Sequence, residues 1–126
     1  DAAIHIAEPA GWDDMGQSLR AGTIIPVGEN PPHTACDALQ TLCVAPQTFA
    51  ILAQRGAAGC SVTEKEVRDA MRVAQDRLRL VVEPGGAVAL AAMIAGRVPA
   101  GATPLITLSG GNVDRAAYAD ILARDD

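Results

Sequence analysis

Rings are the scarcest feature of this sequence. Trp12, Phe49 and Tyr118 are its only aromatic residues, 2% of 126, although 49% of the chain is apolar. Ala, Val, Leu and Ile must therefore build the interior, which favours close-packed helices and short buried strands over a binding face lined with rings. Positive charge is also in short supply. The net charge of −5 leaves no basic stripe to neutralise phosphates, so no nucleic-acid partner is expected. The arginines from Arg68 to Arg79 alternate with acids and predict a solvated helix face. No apolar run reaches the roughly 18 residues that span a membrane, so no membrane partner is expected. No charged-then-apolar leader is visible, and no secretion signal is claimed. Cys36, Cys43 and Cys60 are odd in number and lack metal-ligand spacing. They predict buried thiols of a cytoplasmic protein rather than a disulfide framework. The length suits a single domain.

What is present alternates between strand and helix patterns. Ile4-His5-Ile6-Ala7 predicts a short strand, and Glu8-Pro9-Ala10-Gly11 turns the chain. Asp13 and Asp14 place acid at the start of a helix that ends near Gly22. Residues 23–33 hold Pro26, Gly28, Pro31 and Pro32 and read as a loop. Short helices are expected over 35–43, which would put Cys36 and Cys43 on successive turns in the core, and over 47–55. The second is entered through Pro46, whose missing N–H costs nothing at a first helical position. Cys60-Ser61-Val62 predicts a second strand.

Thr63 and Glu66 form a capping box ahead of an amphipathic helix, with Val67, Ala70, Met71, Ala74, Leu78 and Val81 on one face. Glu83-Pro84-Gly85-Gly86 breaks that helix. The next one, over 87–95, is apolar all round and should be buried all round. Residues 105–108 predict a third strand, and Asp114 caps a last helix through Leu122. Apolar strands alternating with helices predict an α/β fold with a partial parallel sheet of about three short strands.

Three places could carry chemistry. Glu83 is the only ionisable residue between Leu80 and Gly96 and sits at the head of an apolar helix. Either it is aimed at a ligand, or it is a helix-start carboxylate satisfied by the Gly85 and Gly86 amides. Ser109-Gly110-Gly111-Asn112 follows an apolar segment. It is either a ligand turn at the carboxyl end of a strand or a plain strand-to-helix turn. Glu8 and Asp14, backed by Asp13, could hold a hard cation through oxygen. On pattern alone, a helix-start acid pair is the better reading. His5 and His33 have no acid, Cys or His at ligand spacing.

Taken together and in order, these pieces resemble the serine/threonine dehydratases and serine racemases, pyridoxal-phosphate enzymes of the tryptophan-synthase-β-like fold type II. The matching runs are Glu8-Pro9 with Asp13-Asp14, Thr34-Ala35-Cys36-Asp37, Val62-Thr63-Glu64, Leu80-Val81-Val82-Glu83-Pro84-Gly85-Gly86-Ala87 and Leu108-Ser109-Gly110-Gly111-Asn112-Val113-Asp114.

The resemblance implies that residues 1–126 are one partial domain, the carboxy-terminal portion of such an enzyme's large domain. It implies that Ser109 bonds the pyridine nitrogen of pyridoxal 5′-phosphate, with Gly110 beside it and Glu83 near the ring. It also implies that Glu8, Asp14 and the backbone carbonyl of Trp12 form a site for Mg2+ or Ca2+. The expected reaction takes a β-hydroxy amino acid to a keto acid and ammonia. The expected partners are that small-molecule amino-acid substrate, the amino-terminal half of the same enzyme, and further copies in a homo-oligomer.

The sole lysine, Lys65, lies between Glu64 and Glu66 on a solvated helix. A Schiff-base lysine is normally desolvated, so Lys65 is not expected to carry the cofactor, and the chain alone is expected to be inactive. The family commonly has Ala-Asp-Gly where this chain has Cys36-Asp37-Ala38. The added methyl lies near the substrate region and points toward dehydratases of hydroxyaspartate or of ectoine breakdown. No regulatory domain of the allosteric deaminases is expected. The competing reading, from another class, is a non-catalytic folded relic or partner-binding module.

Overall fold

The computed structural model describes residues 2–99 and 103–124. Two parallel strands, β1 (His5–Pro9) and β2 (Ala58–Val62), pair in register from His5 opposite Ala58 to Pro9 opposite Val62. Between them run α1 (Asp14–Ala21), a single 3-10 turn (Asp37–Leu39) and α2 (Pro46–Gln54). After β2 come α3 (Glu64–Val73), one π turn (Ala74–Leu78), α4 (Pro84–Ile94) and α5 (Arg115–Ala123).

The strand alternation explains the layering. Successive side chains of a strand point to opposite faces. Ala7 and Cys60 pack into the core that holds α3 and α4, whereas Glu8 points to α1 and bonds its first amides. On that α1 side, Gly16 and Gly59 meet so closely that a Cβ on Gly59 would overlap the Gly16 Cα. The main core lies between α3, α4 and the sheet. Val62, Val67, Ala70, Met71, Ala87 and Ala91 are among its most enclosed members, and Tyr118 of α5 belongs to it as well.

Local signals place most helix ends. Gly22 ends α1 at φ +71, in the left-handed region that glycine enters at no steric cost. Pro46 opens α2. The Thr63 hydroxyl accepts the Glu66 amide while the Glu66 carboxylate accepts the Thr63 amide, completing the capping box. The Asp114 carboxylate accepts the Ala117 amide at 2.9 Å.

Several expectations are corrected. Residues 35–43 form no α-helix. Only Asp37–Leu39 makes a 3-10 turn, and Cys43 is exposed while Cys36 is fully buried. Residues 105–108 form no strand among the described residues, so the sheet there has two strands rather than three. Leu105 is 100% exposed, and an apolar segment becomes a strand only when another strand bonds its backbone.

The α3 stripe holds through Ala74. The π turn and a left-handed Arg79 (φ 58) then rotate the chain, and Leu78 and Val81 emerge to solvent. Arg68, expected on a solvated face, is only 8% exposed. The apolar helix starts at Pro84 rather than Ala87. Its last turn is not enclosed: Met93 and Ile94 are exposed.

Candidate functional site

The Ser109 turn and the head of α4 are pressed together. The Glu83 amide donates to the Ser109 carbonyl at 3.2 Å, and the Val113 amide donates to the Gly110 carbonyl at 3.1 Å, closing the turn. Gly110 sits at φ +78, and a Cβ there would overlap the Cβ, Cγ and Cδ of Glu83. A Cβ on Gly86 would overlap the Ser109 carbonyl oxygen and lie 2.8 Å from its Oγ. Glycine at these two positions is what lets the two segments meet. Gly110 stands out in the sequence as part of a candidate ligand turn, whereas Gly86 was missed as a site residue. The signal for Gly86 was two consecutive glycines in the first turn of a helix, where each costs about 1 kcal/mol against alanine.

Of the two readings of Glu83, the cap is ruled out. Glu83 is the N-cap residue of α4, yet its side chain makes no capping bond. Its carboxylate accepts no hydrogen bond from the described residues, and it lies half-buried over Gly110. Ser109 is exposed, and its hydroxyl is likewise unengaged among the described residues. The Ser109 hydroxyl lies against Gly86 and the Glu83 side chain lies over Gly110, at one end of α4.

The 3-10 turn packs beside them. A Cβ on Gly85 would lie 3.5 Å from the Leu39 Cγ and 3.8 Å from the Ala38 Cβ. The Ala38 methyl thus borders the same end of α4 as Glu83. Cys36 is buried behind it, and desolvation pushes its thiol up to about 12, with Glu64, Asp37 and Glu83 adding to the effect. It is a packing residue and no nucleophile.

Glu8 and Asp14 come together at the start of α1. The Glu8 Oε1 accepts the Met15 amide at 3.1 Å and Oε2 accepts the Gly16 amide at 2.8 Å. Burial nevertheless raises its carboxyl to about 7, with the charges of Asp14 and Asp13 pushing the same way. Asp14 is 2% exposed, its pKa is raised by desolvation, and its buried Oδ2 has no partner. Trp12 is buried, its indole N–H donating to the Pro32 carbonyl at 2.8 Å. Among the described residues no three His, Cys, Asp or Glu side chains form a metal-holding group. A cation here would need backbone oxygen as well. The orphaned Asp14 oxygen and the mutual repulsion of the acids fit such an ion.

Lys65 belongs to neither place. It is exposed in the first turn of α3 and pairs with Asp69 at 2.7 Å.

A glycine-rich turn meeting a helix head in a parallel α/β core is the kind of place where such folds collect small ligands. Residues 1–110 match the family model described as pyridoxal-phosphate dependent enzyme, and the chain belongs to that family. It is 34% identical over 122 residues to a serine racemase of Dictyostelium discoideum, covering 94% of this chain and 37% of that protein. It is 33% identical over 121 residues to an L-threo-3-hydroxyaspartate ammonia-lyase of Saccharomyces cerevisiae, covering 95% and 36%. The crystal structure of the T.th. threonine deaminase superposes with a TM-score of 0.70 at 37% identity, over 77% of this chain and 36% of that one. The chain thus spans little more than a third of the length of these relatives. The fold is that of fold type II pyridoxal-phosphate enzymes.

Proposed function

We propose that this chain is the carboxy-terminal portion of the large domain of a cytoplasmic, pyridoxal-phosphate-dependent ammonia-lyase. The reaction removes water and ammonia from a β-hydroxy amino acid such as serine, threonine or hydroxyaspartate and releases a keto acid. The observation that carries this reading is the Ser109 turn closed on the Glu83 amide and pressed to Gly86, with the Glu83 side chain over Gly110.

When bound, pyridoxal phosphate supplies an electron sink for the α-carbon of the amino acid. Ser109 would hold the ring nitrogen through its hydroxyl. A neutral partner leaves that nitrogen unprotonated, which tempers the sink and suits elimination of a β-leaving group. Glu83 would face the ring from the head of α4, and Gly110 lets it lie close. Asp37, Ala38 and Leu39 border that end of the site on the substrate side. Lys65 pairs outward with Asp69, so the cofactor-bearing lysine belongs to the amino-terminal half of the same enzyme. Glu8, Asp14 and the Trp12 carbonyl would bind Mg2+ or Ca2+ and brace the junction of β1 with α1. The assembled enzyme is a homo-oligomer in this reading.

The test is made on the intact polypeptide that carries this chain, saturated with pyridoxal phosphate. Keto acid and ammonia are measured from L-serine, L-threonine and L-threo-3-hydroxyaspartate, with chiral analysis of serine in parallel. Ser109→Ala should keep the fold, shift the cofactor absorbance and lower kcat/KM at least tenfold, the scale of one lost charge-assisted or buried bond. D-serine without keto acid would replace the lyase reading by racemisation. A chain that takes up no cofactor would leave a partner-binding relic of the family.

A further inference from the structure

Among the described residues the sheet is β1 and β2 alone, which leaves one edge of β1 without a strand. The Ile4 carbonyl accepts the Ala58 amide, and the Ala10 amide donates to the Val62 carbonyl. In a parallel pair every second residue of a strand turns its amide and carbonyl to the neighbouring strand. Residues 4, 6, 8 and 10 therefore serve β2, while His5 and Ala7 turn their main-chain groups the other way. A row of unpaired amides and carbonyls is a template for one more strand.

That edge opens on an apolar cavity of about 540 Å3, lined by His5 and Ala7, by Ala89 and Ala92 of α4, and by Leu105 and Ile106. No Asp, Glu, Lys or Arg is in the lining, so a charged occupant would be desolvated there without a partner. Exposure alternates along the segment that borders the cavity. Leu105 and Thr107 are exposed, whereas Ile106 and Leu108 are partly buried and pack on the core. That is the period-two pattern of a strand, carried by residues that belong to no sheet among those described. The chain also spans little more than a third of the length of its relatives, so a full-length relative has ample further chain to fill the slot.

We propose that the cavity seats one short, uncharged β-strand from the segment preceding residue 1 in the intact enzyme. It lies parallel to β1, as β2 does, and bonds His5 and Ala7 on one side and residues 105–108 on the other. Residues 105–108 thereby become a strand. They run directly into Ser109, so the docked strand also sets the position of the Ser109 turn. This inference rests on the reading of the chain as the carboxy-terminal portion of a longer enzyme, and adds where the rest attaches and what it completes.

The test uses the intact polypeptide that carries this chain, saturated with pyridoxal phosphate. The photo-reactive amino acid p-benzoylphenylalanine replaces the exposed His5, and the cross-linked peptide is identified by mass spectrometry after irradiation. The expected product is a link within one molecule to a short apolar run preceding residue 1. In the parent, the amides of residues 105–108 should exchange with deuterium about a hundredfold slower than in unstructured chain. Ala7→Pro deletes an amide that faces only the cavity, so it should speed that exchange about tenfold while residues 58–62 stay protected. If Ala7→Pro does not fold, the cross-link and the exchange of the parent decide. A link to a second copy, a link confined to residues 1–126, or unprotected amides over 105–108 overturns the proposal. Keto acid release is recorded on the same parent sample. An inactive protein with the expected link and protection upholds the docked strand and sinks the lyase reading, and an active protein with unprotected 105–108 does the reverse.

Discussion

Replacing Gly110 with alanine would test the central geometric claim, that Glu83 lies over a position only glycine can occupy. Two costs follow from the structure. A left-handed backbone (φ +78) costs alanine about 1 kcal/mol. Overlap of the new methyl with the Cβ, Cγ and Cδ of Glu83 forces that side chain and the helix head to shift, adding about 1–3 kcal/mol. The expected loss is therefore about 2–4 kcal/mol. Gly22 is the internal control. It has φ +71 but no atom within 4 Å of where a Cβ would sit, so Gly22→Ala should lose only the backbone part, about 1 kcal/mol.

Urea unfolding followed by circular dichroism measures both losses, with equal slopes required for the comparison. The two mechanisms separate further in a Glu83→Gly background, where the obstructing atoms are gone and glycine is still tolerated at the N-cap. There Gly110→Ala should cost no more than Gly22→Ala, a coupling visible as a double-mutant cycle. Equal losses for the two single variants would refute the contact. So would a Gly110→Ala loss that persists undiminished in the Glu83→Gly background.

Two other outcomes are expected. Glu8 holds its proton more tightly in the folded protein (about 7) than at its ordinary value of 4.5. Between those values the unfolded chain binds fewer protons, so stability of metal-free protein should fall as pH rises from 4.5 to about 7. Thermal melts across that window should show the fall, Mg2+ or Ca2+ should lessen it, and Glu8→Gln should flatten it. A cation effect that survives in both Glu8→Ala and Asp14→Ala would disprove the site. Thr63→Ala opens the capping box of α3 and should cost about 1 kcal/mol in urea unfolding, with no change in cofactor absorbance. A loss below a few tenths would mean that α3 is held by packing alone.

The sequence by itself determined the features whose causes lie within a few residues. The Thr63–Glu66 box, the glycine end of α1, Pro46 at the start of α2 and the Asp114 cap all depend on hydrogen bonds or dihedral preferences local to the chain. The Ser109 turn, Glu83 and the Glu8–Asp14 pair were visible as candidates for the same reason: unusual residue types stood at element ends.

What those candidates do together was decided in three dimensions. No local pattern says that Gly86 must clear Ser109, that Gly110 must lie under Glu83, or that Glu83 leaves the amides of its own helix uncapped. Arg68 looked solvated because its neighbours are charged, yet it is buried. Residues 105–108 looked like a strand because they are apolar, yet a strand requires a partner that periodicity cannot supply. Capping and turn energies are set by neighbours in sequence. Burial, strand pairing and the meeting of the Ser109 turn with Glu83 are set by neighbours in space.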